Sequence, residues 1–424
     1  MIKYNIKNGI NLYHISTGKF KTVAASVNIH RPLSKSEASM NALLTDVLHR
    51  GNKTYPDMIA ISKYLQSLYG ASFYTNIKRK GEDQIISFTV NAVADKYLNG
   101  DECTISAISM MYDMLLNPLI ENEGFKKDYV EQEKTNLKND ILALINDKRS
   151  YSAWRILELM CADDRYGIHE LGTVEDVDKI TPESLYNHYK KVIAESPIDI
   201  FITGDIDIKQ VVSLTKEAFK DITPQNCSYP VCEMYAQKQG VEDNVEKFDV
   251  TQAKLCLGFA TNTMPKDDDY PALMVYSGIL GGGAHSKLFN NVREKLSLAY
   301  YVSSRLERYK GIMTIASGIE IQNKQKALDE INVQLEAMKK GDISEYEYTS
   351  TIKSITNSLK AFGDDIGYSA DYYLGQIVTG NIVAIDELIK KIEAVTINDV
   401  VKVAAKIEPQ MVYFLTAESE AEAQ

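Results

Sequence analysis

The chain has 424 residues, 58 of them acidic and 47 basic, for a formal charge of −11. Its content of 45% hydrophobic and 25% charged residues is that of a globular protein, which excludes wholesale disorder and collagen-like repeats. The acidic balance argues against nucleic acid as a partner, and the length calls for about two domains of roughly 200 residues each.

In chain order, short alternating strands open the sequence at Ile2 to Ile6, Asn11 to Ile15 and Thr22 to Ile29, broken by the hairpin signals Asn8-Gly9 and Thr17-Gly18. A helix is predicted over 36–50, with Leu43, Leu44, Val47 and Leu48 on one face and Gly51 ending it. Further helices are predicted at 56–69, 103–116, 122–146 and 150–162, with a strand from Asp83 to Ala94 among them. No apolar window approaches the roughly 18 residues of a membrane-spanning helix. Met1 to Ile6 carries no basic segment leading into an apolar one, so no signal peptide is expected.

A repeat organises the rest. Thr181 and Thr396, 215 positions apart, each read as a helix N-cap whose helix leads through a proline into a buried strand. The strand Thr22–His30 with helix 36–50 likewise parallels the strand Lys254–Ala260 with a helix over 268–280. Two duplicated halves are expected, 1–224 and 245–424. The linker between them, 225–244, holds Cys227, Pro230 and Gly240 and breaks the periodicity.

Five cysteines, Cys103, Cys161, Cys227, Cys232 and Cys256, are too few and too scattered for a disulfide scaffold. The close pair Cys227 and Cys232 has no second pair to complete a zinc knuckle, so reduced thiols in a cytoplasm are expected. None of the six histidines lies three to five residues from another, so a helical two-histidine zinc site cannot form locally. The run Gly281-Gly-Gly-Ala-His-Ser-Lys287 lacks the spacing of a phosphate loop. It reads as a tight, φ-permissive connection whose Ser286 caps a helix striped by Leu288, Phe289, Val292 and Leu296.

From Leu280 through that run to Leu288-Phe289, and on through Val292-Arg-Glu-Lys-Leu-Ser-Leu-Ala-Tyr300, the sequence resembles the pitrilysin (insulinase) zinc metallopeptidase family. Leu115-Leu116-Asn117-Pro118, Tyr166-Gly167 through Thr173, and Gly204-Asp205 extend the resemblance in order over nearly the whole chain. The resemblance implies an α+β fold of two homologous domains, each a mostly antiparallel sheet covered by helices on one face, which enclose a chamber for peptides.

The family's inverted motif, His-x-x-Glu-His, falls by the Gly51 anchor on Ala42, Thr45 and Asp46, so both imidazoles and the general-base carboxylate are missing. The acidic helix that supplies the third ligand corresponds to Glu133 and Asp140. One or two carboxylates cannot replace the three ligands of catalytic zinc, though a carboxylate-only Mg²⁺ or Ca²⁺ site from Asp46 and Asp140 is a minor alternative. The family's clamp, by contrast, matches at Arg293 and Tyr300. In catalytic relatives the Tyr helps to stabilise the oxyanion and the Arg holds substrate backbone.

The resemblance therefore implies a zinc-deficient subunit of a heterodimeric metallopeptidase, with no metal of its own. A zinc-bearing homologous partner would supply the metal, and Arg293 and Tyr300 would act in trans. Bound peptide would add to the strand containing Ala71, Ser72, Phe73 and Tyr74. A homodimer, or a purely structural member of the same fold, is the rival expectation.

Overall fold

The computed structural model describes residues 1–225 and 228–418. Cys227, and with it the reading of a Cys227–Cys232 pair, lies outside the described residues. The chain divides into two compact units. One holds 1–143, 168–231 and 362–378, and the other 144–167, 232–361 and 379–424.

The first part of the chain runs β1 (Ile2–Lys7), β2 (Ile10–Ser16), β3 (Thr22–Pro32), α1 (Ala38–His49), α2 (Met58–Ser67), β4 (Ser72–Lys80), β5 (Asp83–Val93) and α3 (Cys103–Leu116). The short ladder β6 (Ile120–Glu121) and β7 (Gly124–Phe125) precedes α4 (Lys127–Ala143) and α5 (Lys148–Met160). Then come α6 (Val174–Asp178), α7 (Pro182–Glu195), β8 (Ile198–Gly204) and α8 (Ile208–Ala218). The helix expected to begin at 122 starts five residues later, because Asn122 and Glu123 take positive φ (49° and 67°) and turn the β6–β7 hairpin instead.

The later part contains β9 (Glu242–Phe248), β10 (Ala253–Ala260), α9 (Tyr270–Gly281), β11 (Ala299–Glu307) and β12 (Ile312–Ile319). It continues with α10 (Lys324–Lys340), α11 (Glu345–Ala361), α12 (Ile366–Thr379), α13 (Ile385–Glu393), α14 (Ile397–Ala404) and β13 (Glu408–Ala417). Thr181 and Thr396 both cap helices through reciprocal capping boxes, with Ser184 and Asp399 as the third-position partners.

The two sheets share one topology. The first has the order β1-β2-β8-β3-β5-β4 and the second β11-β12-β10-β13-β9. In each, the strand that follows the capped helix (β8 or β13) pairs parallel to an early strand (β2 or β9), and the remaining pairs along the order are antiparallel. This is the α+β architecture the resemblance implies.

Period-two alternation sorts the first sheet's faces. Val23, Ala25, Val27 and Ile29 of β3, with Ile198, Ile200 and Ile202 of β8, pack under Leu43, Leu44, Val47 and Leu48 of α1 and Met111 and Leu115 of α3. The opposite face is polar. There Ser87 donates to Asn28, and His30 lies wholly buried between two carboxylates, Asp83 at 2.5 Å from Nδ1 and Asp199 at 3.2 Å from Nε2. Asp199 also accepts hydrogen bonds from Tyr229 and Asn11.

Burial alone pushes the His30 pKa down, but Asp83 and Asp199 outweigh it and raise the value from 6.5 to about 10. Burial also pushes Asp83 up, against the pull of His30. We assign the shared proton to His30, because both ring nitrogens face carboxylate oxygens and only the imidazolium can donate to both.

A raised histidine stabilises fully below its ordinary pKa of 6.5, and the contribution is lost as pH rises through about 10. His30→Asn should therefore cost about 3–5 kcal/mol of unfolding free energy near pH 6, the scale for breaking a buried pair. Urea denaturation across pH should show the deficit shrinking toward pH 10. A deficit independent of pH would contradict the charged assignment.

Candidate functional site

Helix α1 carries Ala42, Thr45 and Asp46, the positions that the resemblance sets against the zinc motif. Ala42 and Thr45 are buried, and the Thr45 hydroxyl donates to the Asn41 carbonyl at 2.7 Å, so it is spent inside its own helix. Asp46 is partly buried, and among the described residues its side chain has no hydrogen-bond partner. Burial, then the charges of Glu133 and Asp140, pushes its pKa from 3.8 to about 7.

On α4, Glu133 is buried and both its oxygens are engaged. Oε1 accepts from Arg50 Nη1 at 3.1 Å and Oε2 from Asn136 at 2.9 Å. Arg50 also donates to Gln132 at 2.6 Å and lies over the Tyr129 ring. Asp140, a turn and more along α4, is exposed. Among the described residues, no three His, Cys, Asp or Glu side chains converge to hold a metal ion.

These residues do not fit zinc, and they do not fit the carboxylate-only alternative either. The carboxylate best placed on α4 is already neutralised by a guanidinium, and Asp46 and Asp140 gain no third donor. Sequence reading missed Arg50. Its one signal was a basic residue in the last turn before Gly51.

The second unit builds the Arg293–Tyr300 pair through three local irregularities. Residues Phe289–Lys295 form a π-helical turn rather than the α-helix their apolar stripe suggests. Ser297 takes φ 50°, and the β11–β12 register slips between Ala299 and Tyr301, which leaves Tyr300 bulged out of the ladder and 57% exposed. Arg293 stacks over Phe289 at 4.7 Å and approaches Glu294 at 3.6 Å. The Tyr300 hydroxyl donates to Glu320 at 3.5 Å.

Arg293, Tyr300 and Glu320 line one cavity of 370 Å³. π-turns, left-handed residues and bulges each cost energy and cluster where a side chain must be aimed. Glu320, far along the sequence, was not legible as a neighbour. In the preceding run, Ser286 caps the turn, with Phe289 N donating to Oγ at 3.4 Å. Gly281 and Gly282 serve close packing rather than positive φ: a Cβ on Gly281 would meet Ser304 N at 2.4 Å, and one on Gly282 would meet Gly278 Cα at 2.7 Å.

The expected peptide strand maps onto β4 and the residue before it. Ala71 precedes the strand, Phe73 packs on His49 and Phe88, and Ser72 and Tyr74 point outward. β4 is the last strand of its sheet, so one of its edges is unpaired. β11 holds the equivalent edge of the second sheet.

A family model described as the peptidase M16 inactive domain matches residues 179–355. The chain is 36% identical over 96% of its length, and 96% of the relative's, to the probable inactive metalloprotease YmfF of Bacillus subtilis. It is 24% identical, over 88% of its length and 83% of the relative's, to the non-peptidase homolog YmxG of Helicobacter pylori. A crystal structure of a conserved protein from Enterococcus faecalis superposes with a TM-score of 0.92 at 31% identity, covering 99% of both chains. The chain belongs to the M16, or pitrilysin, metallopeptidase family. Among the described residues, no helix is long and apolar enough to cross a membrane.

A carboxylate with a raised folded pKa binds its proton more tightly folded than unfolded, so Asp46 erodes stability as pH rises from 3.8 through about 7. Asp46→Asn should raise the melting temperature at about pH 8 and leave it unchanged at about pH 4. Differential scanning calorimetry at the two pH values checks this. A loss of stability at the higher pH would show that the Asp46 carboxylate has a partner.

Proposed function

We propose that this chain is the zinc-deficient subunit of a two-chain M16 peptidase, which binds peptide and supplies Arg293 and Tyr300 to a zinc-bearing homologue. The reading rests on one contrast. The metal positions are filled by Ala42, Thr45 and an Asp46 beside an Arg50–Glu133 ion pair, yet Arg293 and Tyr300 share a cavity shaped by three backbone irregularities. The partner's zinc supplies the activated water.

Tyr300 exchanges its bond to Glu320 for one to the scissile carbonyl oxygen, where a fixed donor lowers the barrier most as charge develops. Arg293 holds a backbone carbonyl of the peptide. The peptide itself adds to the free edge of β4 beside Ser72 and Tyr74, with main-chain bonds giving affinity and alternate side chains giving preference. We read 1–224 and 245–424 as duplicated halves joined by 225–244, supported by the shared strand order. Buried Cys103 and Cys256, neither in a disulfide, support a reducing, cytoplasmic setting.

In the reconstituted complex, Tyr300→Phe should lower kcat by about 10²-fold with assembly intact, the scale for one lost oxyanion donor. Arg293→Ala should raise KM as well, because it removes contacts made in both the ground and transition states. Steady-state kinetics of both variants is the test. Unchanged kinetics for both would leave the chain a structural member of its family.

A further inference from the structure

Each sheet has a helix on the face away from its main helical layer, and the two are seated differently. In the second unit, α5 buries Ile156, Leu157 and Met160 against Cys256, Ala260 and Tyr413. The approach is so close that a Cβ on Gly258 would meet Met160 Sδ at 2.2 Å. In the first unit, α12 lies over the polar face and is held by ion pairs. Asp371 pairs with Lys80 at 2.8 Å and with Lys78 at 3.8 Å, and Asp364 pairs with Lys19 at 3.1 Å. Between α12 and the sheet is a cavity of 480 Å³, within the range of small-molecule sites.

The floor of this cavity is made of side chains alone. β8, β3 and β5 are interior strands paired on both sides, so their backbone groups are spent; β4, which contributes Tyr74, Asn76 and Lys78 at one side, has its free edge at the end of the sheet. The side chains are hydroxyls and carboxamides: Ser26, Asn28, Asn76, Thr89, Asn91 and Thr203.

Thr203 is 1% exposed, and its hydroxyl has no hydrogen-bond partner. A buried hydroxyl left unmade costs free energy that a ligand can recover. Aromatic surface comes from Phe201 below and from Tyr74 and Tyr368 at the sides.

The charged groups of the cavity are already engaged. Lys78 is committed to Asp371, and Asp365 accepts from the Gly367 and Tyr368 amides of α12. None of them requires a charged ligand, and an anion would meet the two carboxylates. Hydroxyls and carboxamides both donate and accept, and so match ligands built of hydroxyl groups, whose C–H faces also pack on aromatic rings.

We propose that the cavity beneath α12 is a binding site for a neutral disaccharide. The site shares no residue with the Arg293–Tyr300 cavity and does not require the peptidase reading, although its Tyr74 also lies beside the peptide edge proposed above. The test is isothermal titration of the full chain with maltose, cellobiose, sucrose and trehalose, and with the uncharged dipeptide amide Gly-Gln-NH₂ blocked at its amino end. One disaccharide should bind with unit stoichiometry at millimolar concentration or below.

Thr203→Val keeps the side-chain shape but removes the hydroxyl, and should weaken binding about three- to tenfold, the worth of one hydrogen bond. Ala370→Trp fills the cavity from the helix side and should abolish binding, with circular dichroism showing both variants folded. Three results would overturn the proposal: no disaccharide binding at millimolar concentration, binding that survives both substitutions, or tighter binding of the dipeptide amide.

Discussion

The ion pair between Arg50 and Glu133 joins the end of α1 to the middle of α4, the two helices that the resemblance sets against the family's metal centre. With 10% of its side chain exposed, Glu133 needs a counter-charge, and Arg50 supplies it from within the chain. The helix pair is thereby held by an internal counter-charge on Glu133, and Asp46 is left as the partly buried carboxylate without one. Asp46, the one acid remaining at a ligand position, is driven toward its neutral form by the same low-dielectric surroundings. What survives in this chain is the family's scaffold and, in the second unit, the distortions that push Tyr300 out of its strand.

The two sheets share a strand order, yet the faces away from their main helical layers differ. The second sheet buries an apolar helix against Cys256, Ala260 and Tyr413. The first presents Asn28, His30, Asp83, Asp199 and Thr203, a polar surface that would be costly to bury without partners. Part of that cost is met by the His30 network. The rest is left as hydroxyls and carboxamides facing a cavity rather than a packed helix.

Elements fixed by local chemistry were legible in the sequence. The caps at Thr181 and Thr396, the apolar stripe of α1 and the breaks at Gly9 and Gly51 each act within a few residues, and the structure places all of them. Where several local choices compete, the reading drifted. Leu288, Phe289, Val292 and Leu296 fit an ordinary helical stripe, and nothing in their spacing announces a π-turn. The hairpin at 120–125 depends on two non-glycine residues adopting positive φ, which composition does not mark. Tertiary facts were out of reach: Arg50 on Glu133, His30 between Asp83 and Asp199, and Tyr300 beside Glu320 join residues far apart in the chain. The degenerate metal positions were found only through family resemblance, since Ala, Thr and Asp on a helix carry no signal of a lost function.

The proposed need for a second chain can be settled by hydrolysis of a quenched fluorescent peptide in the presence of zinc. The purified chain alone is compared with the chain mixed with a homologue that carries His-x-x-Glu-His. No cleavage is expected from this chain alone, and the mixture should show chelator-sensitive cleavage that depends on its presence. Zinc-dependent cleavage by this chain alone, lost in Asp46→Ala, would contradict the proposed need.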